Sequence, residues 1–444
     1  MQKIEMRRNY MNHNKQEAIY NAKNLGTGKT IVLGLQHMFA MFGATVLVPL
    51  LTGLDVSTTL LFAGVGTFLF HLITKRMVPA FLGSSFAFLG GYAAIAPLTA
   101  DGSSNVEMLP YACFGVACAG LIYLVMAALI KAFSVEKIMK YFPPIVTGPI
   151  IIAIGLTLSK SAIDNCSVNW LIALAAIVAV IICNIFGKGM IKIVPILIGV
   201  VVSYLLGICM GEVDFTAVKE AAWIGLPIHK EMTVLGLFDE NFDMALLITS
   251  IVTIVPIALA TVVEHIGDIS AISSTTGINY IKEPGLHRTL MGDGIATIAA
   301  SLFGAPANTT YGENTGVLNL SKVYDPFVVR LAAVFAIVFS FCPKFAAVIQ
   351  VMPEATVGGI SLILYGMISA VGVRNIVETQ VDFTKSRNVI IAALILVLSI
   401  GVNYSTAGAV AFQVGNITIS LSGLAVGALT GIILNAILPE TESL

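Results

Sequence analysis

Charge is what this sequence has least of. Asp, Glu, Lys and Arg make up 11% of its 444 residues, where a soluble domain carries about 25%. A soluble chain of this length must cover its surface with polar groups, and too few are present. An ordinary cytosolic enzyme, a secreted disulfide scaffold and a disordered chain are thereby excluded. Cysteine is sparse too. Cys113, Cys118, Cys166, Cys183, Cys209 and Cys342 include no C-x-x-C pair and mostly sit in apolar runs. They read as small buried hydrophobes, not as a metal site or disulfide framework. The net charge of −1 offers nothing to a nucleic-acid partner. What is abundant is apolar surface: 57% hydrophobic residues and a mean hydropathy of +0.92. The chain reads as a multi-pass membrane protein, with lipid as the solvent for most side chains.

The first 30 residues are polar and carry six basic residues, and no cleavable signal segment follows. Twelve apolar runs read as helices: about 31–52, 56–74, 109–130, 144–161, 168–186, 191–210, 245–266, 289–304, 326–342, 354–372, 388–402 and 418–438. Two further segments, 79–99 and 304–321, mix apolar residues with Gly, Pro, Ser, Asn and Thr. Counting both gives fourteen passes. With the N-terminus in the cytoplasm, 20 of the 24 basic residues then fall inside, and only Lys160, Lys219, Lys230 and Lys344 outside. That bias supports the orientation, with both termini cytoplasmic and the acid-rich loop 211–243 outside.

The chain reads as duplicated. Pro143-Pro144-Ile145-Val146-Thr147-Gly148-Pro149 echoes Pro353-Glu354-Ala355-Thr356-Val357-Gly358-Gly359 at an offset of 210 residues. The two irregular segments are each third in a set of seven spans. Seven is odd, so successive copies insert with opposite orientation. Inverted repeats with paired interrupted helices are a transporter architecture, and the interrupted pair marks the substrate site. The plainer alternative is that Pro-Gly patterns recur by chance at helix ends.

Three acidic residues remain at membrane depth once loops claim the rest: Glu264, Asp268 and Glu313. Ionisable groups there are costly unless partnered or functional. Glu264 and Asp268 are one helical turn apart and share a face. Asp268 also lies near a membrane end, where solvation or capping would explain it equally well. His37, beside Gln36, reads as a coupling residue or a satisfied core histidine. His265 points away from the Glu264 face and His71 sits near a membrane end, so both read as structural. Phe86 and Tyr365 alone would be packing residues. Carboxylates, helix-start amides and nearby aromatics suit a nucleobase, which is flat and carries ring N–H and carbonyl groups. A buried carboxylate can take up a proton at ordinary pH, linking proton uptake to binding. Several patterns are set aside. Gly26-Thr27-Gly28-Lys29-Thr30 resembles the end of a phosphate loop, but Lys23 stands where that loop needs glycine, so it reads as a helix start capped by Thr27 or Thr30. Glu264-His265 is not H-E-x-x-H, and no metal is called for. Asp293, in Met291-Gly292-Asp293-Gly294, finds no matching second intramembrane Asp motif.

At these residues the sequence resembles the nucleobase–ascorbate transporter family, the second type of nucleobase–cation symporters. The resemblance runs from about Gly34 to Pro439. It is carried by Gln36-His37 with FAMFGATVLVPLLTG, Gly83-Ser84-Ser85-Phe86-Ala87-Phe88, Glu264-His265-Ile266-Gly267-Asp268, PGLHR at 284–288 and Asn308-Thr309-Thr310-Tyr311-Gly312-Glu313-Asn314-Thr315-Gly316. Its bacterial uracil–proton members are the most similar. The resemblance implies an all-α polytopic fold of fourteen segments in two inverted repeats of seven, with strand-like breaks in segments 3 and 10. It implies a cytoplasmic tail at 1–30, a core domain from 31–140 and 244–345, and a gate domain from 141–243 and 346–444. Uracil would bind through Glu264, Glu313, Phe86, Gly312 and Tyr365. Asp268, His37 and Glu264 would couple protons, with Gln36, Ser85, Tyr311 and Asn314 in support. It implies no cofactor beyond the coupling proton, a homodimer joined through the gates, and residence in the inner membrane. Two positions depart from the family pattern: Ser321 stands where its signature has Thr, and Asp268 where uracil members carry His. The rival expectations are a xanthine or urate permease, and an anion exchanger or channel of the same fold.

Overall fold

In hydrocarbon a segment must satisfy its own backbone N–H and C=O groups, so long apolar runs fold as helices. A computed structural model describes residues 18–99, 103–188, 190–238, 242–414 and 417–439. The first half holds α1 (Thr27–Thr52), α2 (Val56–Ile73), β1 (Leu82–Ser84), α3 (Leu89–Ile95), α4 (Leu109–Phe133), α5 (Pro144–Thr157), α6 (Ser159–Val168), α7 (Trp170–Phe186) and α8 (Pro195–Met210). The second holds α9 (Met244–Ile254), α10 (Ile257–Thr276), α11 (Leu286–Leu302), β2 (Asn308–Thr310), α12 (Gly312–Ser321), α13 (Pro326–Ser340) and α14 (Pro343–Gln350). It ends with α15 (Glu354–Glu378), α16 (Ser386–Asn403), β3 (Ala409–Val414), β4 (Ile417–Ser422) and α17 (Gly423–Ile437).

Helix starts follow local chemistry. Side chains of Asp55, Asn169, Asp243, Asp325 and Ser422 accept first-turn N–H groups of α2, α7, α9, α13 and α17. Among the described residues, seven helices, α5–α6 and α9–α10 each counting as one, are long and apolar enough to cross a membrane, and the chain is a multi-pass membrane protein. A further pair, α13 and α14, meets at an 88° bend. Helices α7, α8 and α17 are apolar but shorter, at 15 to 17 residues. At 1.5 Å per residue they fall short of a hydrocarbon core about 30 Å thick.

The helices pack in two groups. Helix α11 lies on α4 and α2, and α13 on α2 and α1. Helix α15 lies on α5, α6 and α7, α16 on α17 and α5, and α8 on α7. Small residues let backbones approach closely. A Cβ at Gly155 of α5 would fall on the Tyr365 carbonyl of α15, and one at Gly372 would lie 2.6 Å from the Gly148 carbonyl. The two helices that begin at the echoed Pro143 and Pro353 therefore pack face to face.

The two irregular segments cross. Strands β1 and β2 pair antiparallel, Leu82 with Thr310, Gly83 with Thr309 and Ser84 with Asn308. A neighbouring helix ties down each strand. The Thr67 hydroxyl of α2 accepts from Leu82 N at 2.9 Å, and the Thr297 hydroxyl of α11 donates to Asn308 O at 2.7 Å. Backbone unravelled within the membrane thus stays hydrogen-bonded and covered by protein.

Several expectations need correction. The fold is not purely helical outside the crossing, because β3 and β4 form an antiparallel hairpin. The apolar run 418–438 therefore starts as a strand, and its helix begins at Gly423; alternating Thr, Ser and β-branched residues favour the extended form. The polar tail ends earlier than residue 30, since α1 starts at Thr27. Neither Thr27 nor Thr30 caps it: the Thr30 hydroxyl donates back to Gly26 O at 3.0 Å, and Gly26 takes the cap position with φ 77°. The boundary drawn between 345 and 346 falls inside α14. Segments 1–17 and 440–444, including the cytoplasmic ends expected there, lie outside the described residues.

The tight α5–α15 contact gives a paired test. Gly155→Ala drives a methyl group into the Tyr365 backbone, whereas a Cβ at Gly366 meets nothing within 4 Å. Overpacking costs about 1–3 kcal/mol. The thermal midpoint of the detergent-purified protein should fall for Gly155→Ala and stay at the wild-type value for Gly366→Ala.

Candidate functional site

The crossing sets the site. Past β1 the chain makes a tight turn at Phe86–Phe88 before α3; past β2 it enters α12 at Gly312. Each helix start leaves first-turn N–H groups without intrahelical partners. Helix α10 packs against β2, α12 and the Phe86 turn together. This helix carries Glu264, which is half-buried, and Asp268, which is buried. The solvated reading of Asp268 is therefore excluded. Its Oδ1 lies against Gly312: a Cβ there would stand 2.9 Å from that oxygen. Glycine at 312 lets the carboxylate reach the start of α12.

From the other helix group, Tyr365 of α15 meets Phe86 edge to face, with ring centroids 5.6 Å apart. Both are buried. The Tyr311 hydroxyl donates to Ser84 O at 2.8 Å, and its ring covers Gly83, where no side chain would fit. Ser85 N–H donates to Ala307 O at 2.9 Å, extending the strand pairing by one residue. The Ser85 and Thr309 hydroxyls are buried and have no hydrogen-bond partner among the described residues, and the buried Tyr365 hydroxyl lies beside Ser361, one turn earlier. Buried polar atoms are normally satisfied by protein, water or ligand. Ser85 and Thr309 belong to the crossing itself.

The expected residues divide accordingly. The structure brings together Phe86, Tyr365, Ser85, Tyr311, Gly312 and Asp268, with Glu264 one turn from Asp268 on the same helix. Gln36 and His37 are buried on α1. Helix α1 packs against both β1 and α12, and its Thr45 carbonyl receives the Ser84 hydroxyl at 3.1 Å. His37 lies eight residues earlier, about 12 Å along the axis. The side chains of Glu313 and Asn314 lie outside the described residues; their backbone forms the first turn of α12.

Beside the site is a cluster that the sequence did not announce. His265 and Asp293 are both fully buried, with Nδ1 2.7 Å from Asp293 Oδ2. His265 Nδ1 also lies 3.1 Å from the Thr310 hydroxyl, and Nε2 lies 2.9 Å from that of Thr289. The same Asp293 oxygen accepts from Thr310 N at 3.3 Å. The count of three acidic residues at depth is therefore too small: Asp293 is a further one. It was passed over because its run reads Met-Gly-Asp-Gly, with no acidic partner nearby. The partner is a histidine 28 residues earlier that only the fold brings close. The bland reading of His265 holds in part: it is satisfied, and it braces β2 against α10 and α11.

Removing one partner of a buried pair strands the other and costs about 3–5 kcal/mol. Asp293→Ala leaves His265 and the Thr310 N–H without their acceptor, while Asp293→Asn keeps an acceptor oxygen. The thermal midpoint should drop sharply for Asp293→Ala and clearly less for Asp293→Asn.

Residues 28–408 match the Permease family (Xan_ur_permease). The uracil permease of Bacillus caldolyticus is 41% identical over 93% of this chain and 92% of its own. That of Bacillus subtilis (strain 168) is 39% identical over 93% of each chain, and that of Escherichia coli (strain K12) 35% identical over 92% and 91%. Among solved structures, the transmembrane domain of the cyanobacterial bicarbonate transporter BicA has a TM-score of 0.61 at 16% identity, covering 94% of this chain and 99% of that one. SLC26A9 has a TM-score of 0.64 at 12% identity, covering 94% and 66%. These two likenesses concern the fold alone. With the match spanning most of its length, and with relatives this similar, the chain belongs to the Permease family.

Proposed function

We propose that this permease is a secondary active transporter that imports uracil together with a proton. The observation that carries the reading is the antiparallel crossing of β1 and β2, with the helix bearing Glu264 and Asp268 packed across it. A pyrimidine dione needs acceptors for its ring N–H groups and donors for its carbonyls. Glu264 and Glu313 serve as the acceptors. The backbone amides of Phe86 and Gly312, at the two breaks, serve as the donors. Tyr365 closes the site from the opposite helix group, and Gln36, Ser85, Tyr311 and Asn314 support it. Uracil permease relatives at 35–41% identity support the substrate.

In this reading fourteen passes form two inverted repeats, and the two packed helix groups are the core and the gate. Substrate sits at their boundary, and alternating access is movement of core against gate. The excess of basic residues on one side supports cytoplasmic termini in an inner membrane. A homodimer through the gates completes the arrangement. Asp268, lying against the start of α12, takes the proton, with Glu264 and His37 as further coupling groups. An uncharged nucleobase suits carboxylates that an anion would not, since they would repel it. The alternative is a purine permease of the same family, and Glu313 at the start of the signature favours uracil over it.

Proteoliposomes with labelled uracil test the reading. Uptake should rise under an inward proton gradient and fall to the equilibrium level when the gradient collapses; indifference to the gradient would remove proton coupling. Glu264→Gln and Glu313→Gln should each weaken uracil binding by roughly tenfold or more, the effect of a charge-assisted hydrogen bond. Asp268→Asn should spare binding more than coupled accumulation. Xanthine competing better than uracil would favour the purine permease.

A further inference from the structure

The chain ahead of α1 touches both helices that bear the site. Ile19 makes a parallel bridge with Val323: its N–H donates to Lys322 O, and its carbonyl accepts from Tyr324 N, each at 2.8 Å. Lys322 ends α12 in a left-handed conformation with φ 56°. The Tyr20 hydroxyl donates to the carbonyl of Thr276, the last residue of α10, at 2.8 Å. The Tyr20 ring meets Tyr324 edge to face at 5.5 Å. Ala22 N–H donates to Asp325 Oδ2 at 2.7 Å, while the other oxygen of that carboxylate caps α13. Ala22, Val323 and Val328 are buried together.

Helix α12 is only ten residues long. One end faces Asp268 at Gly312, and the other is held by this bridge, about 15 Å away. A short helix entered from a break has no long apolar run to fix its tilt, so its far end must be held by neighbours. From Asp268 to its end at Thr276, α10 extends about 12 Å. Two consecutive residues, Ile19 and Tyr20, thus bind the far ends of α12 and α10, whose earlier turns carry Gly312 and Asp268. We infer that this segment is a clasp that positions α12 against α10, and that Ile19 and Tyr20 are positioning residues for substrate binding. Without the bridge α12 tilts away from α10, moving the Gly312 amide from the Asp268 side of the pocket. The effect on substrate rests on the uracil reading above; the clasp itself does not.

The test uses the purified full-length protein in lipid nanodiscs. Ile19→Pro removes the N–H given to Lys322, Tyr20→Phe removes the hydroxyl given to Thr276, and Ile19→Val keeps the bridge. Hydrogen–deuterium exchange is read without ligand in peptides covering 312–321 and 268–276, alongside uracil binding and thermal midpoint. Ile19→Pro should speed exchange in 312–321 and raise the Kd for uracil roughly fivefold, the effect of one hydrogen bond. Tyr20→Phe should speed exchange in 268–276 and weaken binding by a smaller factor. Ile19→Val should match wild type throughout, and all midpoints should stay near the wild-type value. Unchanged exchange in both regions overturns the clasp. Faster exchange with unchanged uracil affinity overturns the positioning role. If Ile19→Pro does not fold, Tyr20→Phe decides by the same readouts. A wild type that binds no uracil defeats the functional reading, while the exchange data still decide the clasp.

Discussion

A backbone that leaves its helix inside a membrane must find other partners for its N–H and C=O groups, and this structure depends on how that is done. Two segments too polar and too rich in glycine to be plain helices pair with each other as β1 and β2. Thr67 and Thr297, on flanking helices, complete the bonding. With the backbone bonded there, helices can start beyond each strand with first-turn amides that have no intrahelical partner. Everything assigned to the site follows from that crossing. Asp268 approaches Gly312, and Phe86 meets Tyr365.

The helices were largely legible in the sequence because apolar runs in a charge-poor chain have few other ways to fold. The two weak segments were legible for the opposite reason: polar and glycine-rich stretches between spans need a special arrangement. Their pairing with each other was not. Strand partners separated by more than two hundred residues leave no periodic signal. The hairpin of β3 and β4 was hidden by its β-branched residues, which raise hydropathy as much as a helix would. Tertiary turns such as the 88° bend between α13 and α14 were hidden likewise, since a proline after a two-residue break does not specify an angle.

The site shows the same division. Glu264, Asp268 and Glu313 stood out because isolated carboxylates in apolar runs are costly. Phe86 and Tyr365 did not stand out from the other aromatics by any local feature; the family resemblance singled them out, and the fold puts their rings together. Asp293 was missed because its cost is met by a histidine in a different helix. That pair differs from the carboxylates at the crossing. One oxygen of Asp293 bonds His265 and the Thr310 N–H and braces β2, while its other oxygen, like the hydroxyls of Ser85 and Thr309, has no partner among the described residues. The His265–Asp293 pair ties β2 to α10 and α11.

The central claim is that uracil binds at the crossing. An experimental structure of the protein with uracil bound tests it most directly. The account predicts density for the pyrimidine between the Phe86 turn and the first turn of α12, within hydrogen-bonding distance of Glu264 and with Tyr365 beside it. Uracil found away from the crossing, or with Glu264 out of reach of its ring, would contradict the account.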